Sequence, residues 1–141
     1  MKWAALAIAL GAIAPVASWL RHNPHQAPKI WILMGFLPFA VGPFHLYMAA
    51  ISWAEWPGYV KGVELSILDI LALALYFSLP HGGSAIPFRT SMALYFLAVL
   101  LSAFQSPVPV AALFYPWQLA RMFLVYAVVA KAMVDERVAP A

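Results

Sequence analysis

From Trp3 to Val134 the chain is a succession of apolar runs, broken only by short clusters of proline, glycine and charge. Each run approaches the ~20 residues that a helix needs to cross a hydrocarbon core of about 30 Å. Within lipid a backbone segment must satisfy its own polar groups, which favours helices. Composition points the same way. Charged residues are 9% of the chain and hydrophobic residues 65%, whereas a soluble domain carries about 25% charge. The expectation is an all-α fold, a polytopic transmembrane helix bundle of about five spans, forming one domain over residues 1–141. The spans fall near 3–20, 30–51, 63–79, 87–104 and 117–134.

The breaks set these bounds. Arg21 to Lys29 is polar and holds Pro24 and Pro28, so a loop is expected. Pro38, Gly42 and Pro43 interrupt the second run and predict a kink, or an early end followed by an interfacial helix. Trp53 to Lys61 reads as a surface loop turning at Trp56-Pro57-Gly58-Tyr59. Pro80 to Ser84 ends the third run. Pro107, Pro109 and Pro116 make Gln105–Pro116 irregular or a short interfacial helix, and Asp135-Glu136-Arg137 marks the exit to water. The first run has a second reading as a signal peptide, with Lys2 as its basic region and Val16-Ala17-Ser18 at the cleavage site. Many of the Trp and Tyr residues lie near span ends, where aromatic belts form, although some of these rings could instead pack between helices.

Several chemistries are excluded. Cysteine is absent, which removes disulfides, thiolate metal sites and a cysteine nucleophile. No phosphate loop, zinc motif or nucleophile elbow occurs. His22, His25 and His81 lack a metal-ligating partner at useful spacing. No metal or cofactor is expected. The net charge of +3 suits anionic lipid headgroups. No basic tract interleaved with aromatics suggests nucleic acid.

Four residues are candidates for a site. Arg121 lies inside the fifth run, where an arginine costs ~2.5–3.5 kcal/mol on insertion scales. It could snorkel to the interface, or contact a carboxylate or a lipid phosphate. The loops after the second and fourth runs must share a membrane face. That places His45, Glu64, Asp69 and Arg121 at similar depth on one side. Asp69, more than a turn into an apolar run, is the best partner for Arg121. Glu64 has a simpler reading as compensation of a helix N-terminus, and His45 as a packing or interface residue. Gln105 and Gln118 could bond backbone groups freed by the prolines. With the amino terminus outside, Arg21, Lys29, Arg89, Lys131 and Arg137 fall on the inner side, and Lys2 and Lys61 on the outer.

Three stretches carry a resemblance. They are Gly35-Phe36-Leu37-Pro38-Phe39 with Gly42-Pro43-Phe44-His45-Leu46-Tyr47; Trp56-Pro57-Gly58-Tyr59 through Glu64 to Asp69; and Trp117-Gln118-Leu119-Ala120-Arg121 leading into Tyr126–Ala130. Together they resemble the amino-terminal region of the O-antigen ligase/polymerase family of membrane proteins. The resemblance implies a multi-span bacterial inner-membrane glycosyltransferase that moves a glycan from undecaprenyl pyrophosphate to an acceptor on the periplasmic face. It also implies an inside amino terminus, opposite to the charge count. Family members are much longer, and their catalytic arginines and histidine lie in later segments, so no catalytic residue carries over. On this reading the chain is a truncated portion, inactive alone, contacting lipid and undecaprenyl-pyrophosphate glycan. The alternative is a small non-catalytic integral membrane protein, an assembly partner or minor transport subunit, with a membrane-protein partner.

Overall fold

The computed structural model describes residues 2–44, 46–79 and 86–133. Helix α1 (Lys2–Gly11) is followed closely by α2 (Ile13–His22). Pro15 explains the break between them. It has no N–H for the carbonyl of Gly11, and its ring crowds the turn before it. A single 3-10 turn at Pro24–Gln26 leads into α3 (Ala27–Val41), with proline in its first turn and Pro38 in its last. Proline is tolerated at a helix start, whereas Pro38 withholds a donor from the turn before it. The helix ends at Gly42.

The chain then becomes extended. Strand β1 (Tyr47–Ser52) pairs antiparallel with β2 (Gly62–Ser66), with an irregularity between Ala49 and Ile51. The Trp53 N–H donates to the Lys61 carbonyl at 2.8 Å and closes the intervening loop. Gly62 faces Ser52 across the ladder. A side chain there would collide with the backbone carbonyl of Ile51, so this strand position needs a glycine. Helix α4 (Ile67–Ser78) follows β2 without a connector. Then come α5 (Arg89–Phe104), the single turn α6 (Pro109–Ala112) and α7 (Phe114–Ala132).

Helix α4 is the centre of the fold. Its Ile70, Ala72, Ala74 and Leu75 are all buried. Ala72 and Ala74 lie on nearly opposite faces at 100° per residue, so α4 is covered on more than one side. Leu20 of α2, Met34 of α3, Ala72 and Leu75 of α4 and Val128 of α7 form the core cluster. Helix α5 packs against α7.

This architecture corrects the expected all-α bundle of five spans. A two-stranded sheet occupies residues assigned to the second and third spans. Among the described residues one helical stretch, Pro109–Ala132, in which the turn α6 runs into α7, is long and apolar enough to cross a membrane. At 1.5 Å per residue its 24 residues extend about 36 Å. The other apolar helices have 10–17 residues; the longest of these reaches about 25 Å, short of a 30 Å core. Each apolar run was long enough by count, but Pro15, the Gly42-Pro43 stop and the hairpin loop divide the backbone. Runs of four to eight apolar residues are equally compatible with strand and helix, and β1 and β2 are of that length. His45, His81, Pro80–Ser84 and Asp135–Arg137 fall outside the described residues.

Gly62→Ala should destabilise the hairpin by about 1–3 kcal/mol, the usual range for overpacking. Gly35→Ala in α3, where a side chain would meet nothing within 4 Å, should stabilise by about 0.5–1 kcal/mol. Thermal unfolding of the two purified variants in detergent should move in opposite directions.

Candidate functional site: a carboxylate clamp between two helices

Asp69 is the third residue of α4, and Ser66 precedes the helix. The sequence Ser66-Ile67-Leu68-Asp69 has the spacing that lets a carboxylate reach back to the helix start. It does so here. Asp69 Oδ2 accepts from the Ser66 backbone N–H at 2.7 Å and from the Ser66 hydroxyl at 2.7 Å. Both residues are only 3% exposed. The positive end of the helix dipole adds to these bonds in holding a negative charge.

Arg121 completes the cluster from α7. Its Nε donates to Asp69 Oδ2 at 2.9 Å, and its Nη2 lies 2.8 Å from the same oxygen. Nη2 also donates to the Ser66 hydroxyl at 3.3 Å, and Nη1 donates to Gln118 Oε1 at 2.9 Å. Each guanidinium nitrogen therefore has an acceptor. The side chain of Arg121 is 16% exposed and that of Asp69 4%. One turn before Arg121, Trp117 donates its indole N–H to the Glu64 backbone carbonyl at 2.8 Å. Residues four apart share a helix face, so Trp117 and Arg121 present one edge of α7 to the junction of β2 and α4.

Glu64 lies in β2, opposite Ala49, and not in a helical first turn. Its contribution to the cluster is its backbone carbonyl. Gln118 bonds Arg121 rather than freed backbone. His45 is outside the described residues. Ser66 and Trp117 complete the cluster without having been singled out from sequence. The serine had a legible signal, a Ser-x-x-Asp spacing before an apolar run. The indole bond to a strand carbonyl had none.

A second polar set lies at the other end of α4. Arg21 of α2 donates through Nε to the Phe77 carbonyl at 3.1 Å, and its Nη2 also bonds that oxygen. A cation at the last carbonyls of a helix complements its dipole. Lys131 of α7 places Nζ 4.0 Å from the centroid of the Tyr76 ring, a cation–π arrangement. Helices α4 and α7 thus run in the same direction, with the carboxylate clamp at one end and basic residues at the other. No group of three or more His, Asp or Glu suited to a metal occurs among the described residues.

The clamp unites one negative and one positive charge, both hydrogen-bonded. It contains no free nucleophile and no unpaired base. Comparison with protein-family models, with curated proteins and with solved structures gives no match to this chain.

Arg121→Ala would leave the buried Asp69 carboxylate without its counter-charge. The expected cost is about 3 kcal/mol, the lower end for breaking a buried pair. Asp69→Asn combined with Arg121→Ala should cost clearly less than the sum of the single effects, by more than about 1 kcal/mol of coupling. Additive effects in thermal melts would show that the two residues stabilise the fold independently. Trp117→Phe should cost about 1 kcal/mol, the net worth of one hydrogen bond.

Proposed function

We propose that this chain is a non-catalytic structural unit of a bacterial inner membrane, anchored by the helix over Pro109–Ala132. The observation that carries this reading is the apolar outer surface. Phe36 and Phe39 on α3, Leu94, Leu101 and Phe104 on α5, and Met122 and Met133 beside them are each more than half exposed. Exposed apolar area on this scale marks a surface made for lipid or for a partner. The shorter helices are seated in the same apolar layer. The hairpin belongs at headgroup level or against protein, because an open sheet edge does not survive in hydrocarbon. The basic end, with Arg21, Lys131 and Arg89, suits the anionic inner leaflet.

A second reading has one observation in its favour. Two of the stretches that resemble O-antigen ligase/polymerase-family proteins meet in the clamp: Glu64, Ser66 and Asp69 come from one, and Trp117, Gln118 and Arg121 from the other. On this reading the chain supplies part of the scaffold of a transferase acting on undecaprenyl-pyrophosphate-linked glycan. Arg121 then serves architecture, because its charge is already taken by Asp69 and a pyrophosphate would have to displace that carboxylate.

Both readings are tested in a strain lacking its own glycan ligase. The chain should remain in the membrane pellet after alkaline carbonate and be released by detergent. Purified protein should transfer no glycan from undecaprenyl pyrophosphate. Extraction by carbonate alone would sink the membrane assignment, and turnover by the purified chain would sink the non-catalytic one.

A further inference from the structure

Helices α5 and α7 leave a groove between them that the clamp does not touch. Its volume is about 310 Å³, at the lower end of ligand-binding pockets. Ala93 and Phe96 of α5 and Ala120, Phe123 and Ala127 of α7 line it. The span from Ala120 to Ala127 is seven residues, about 10 Å along the helix. Everything in this lining is apolar until Arg89, the first residue of α5, which borders one end. Arg89 is exposed; its backbone N–H donates to the Ile86 carbonyl at 3.3 Å, and among the described residues its guanidinium makes no hydrogen bond or ion pair. The first turn of α5 contains no acidic residue. Near this end the Tyr126 hydroxyl donates to the Pro87 carbonyl at 3.2 Å, which ties α7 to the chain entering α5.

An open apolar groove ending at a guanidinium with no partner among the described residues matches one ligand shape: a hydrocarbon chain attached to an anionic oxygen group. The geometry points to this groove as a binding site for an anionic phospholipid, with one acyl chain along α5 and α7 and the phosphate on Arg89. Guanidinium binds phosphate with two parallel donors, which an ammonium cannot do. The position agrees with the charge layout, since Arg89 lies at the same end as Arg21 and Lys131. The inference rests on the membrane assignment above and gives that surface a specific lipid.

The test is native mass spectrometry of the full chain released from detergent micelles, titrated with phosphatidylglycerol or phosphatidylcholine. One phosphatidylglycerol per chain should be retained, at about fivefold higher occupancy than phosphatidylcholine, the effect of one basic residue near a lipid surface. Arg89→Gln should remove that preference. Ala93→Trp, a substitution at an exposed position that fills the groove, should lower retention of both lipids. Both variants are first checked for unchanged helicity and melting. Millimolar inorganic phosphate should not displace the lipid. Equal retention of the two lipids by the unaltered chain would overturn the inference, as would indifference to both substitutions. So would a lipid-free dimer closing the groove, or displacement by phosphate alone. Carbonate-resistant protein with no lipid preference would refute only this site, whereas carbonate-extractable protein would refute the membrane assignment itself.

Discussion

The fold depends on a single carboxylate oxygen. Asp69 Oδ2 ends the β-hairpin, starts α4 and fastens α7, because the backbone and hydroxyl of Ser66 and the guanidinium of Arg121 all converge on it. A buried charge is costly unless it is paired and hydrogen-bonded. Here the donors come from two separately placed elements, Ser66 at the end of β2 and Arg121 in α7, so satisfying the charge requires the tertiary arrangement. Replacing such a pair with apolar side chains is often tolerated in other proteins, while removing one partner is not. The value of the pair to this chain is therefore one of specification. It selects the register in which Trp117 also meets the Glu64 carbonyl.

Away from the clamp the packing is nonspecific in chemistry but specific in size. Ala72 and Ala74 have no exposed area, which lets neighbouring helices approach α4 closely from different sides. Leu75 and Val128 are the largest fully buried side chains. A core of so few large residues stabilises modestly by burial, roughly 1.5–3 kcal/mol for each such side chain. Much of the apolar content is instead turned outward, on α3, α5 and α7. In water that distribution would be a liability. In a bilayer it is the ordinary state of a helix surface.

The two ends of the α4–α7 pair differ in kind. At the clamp end, opposite charges cancel within a hydrogen-bonded set. At the far end, Arg21 caps the last carbonyls of α4, Lys131 lies over Tyr76, and Arg89 borders the apolar groove. The first end is closed on itself, whereas the second presents positive charge outward. An asymmetry of this sort orients a chain in a membrane with one anionic face.

By itself the sequence determined the apolar character of the chain, the positions of its proline and glycine breaks, and the isolation of Arg121 and Asp69 among apolar neighbours. These follow from composition and local rules. Pro15, for example, must disturb a helix wherever that helix lies. The tertiary structure decided what the apolar runs became. Tyr47–Ser52 and Gly62–Ser66 are too short for periodicity to separate strand from helix, and only their mutual ladder makes them a hairpin. That pairing moved Glu64 out of a helical first turn and left its carbonyl for Trp117. It also made Ser66 the residue before α4, and so the partner of Asp69. A strand needs a neighbour before it is a strand, and a buried charge needs its donors assembled around it. Both conditions join residues more than 50 positions apart in the case of Arg121 and Asp69, a distance over which no local pattern operates.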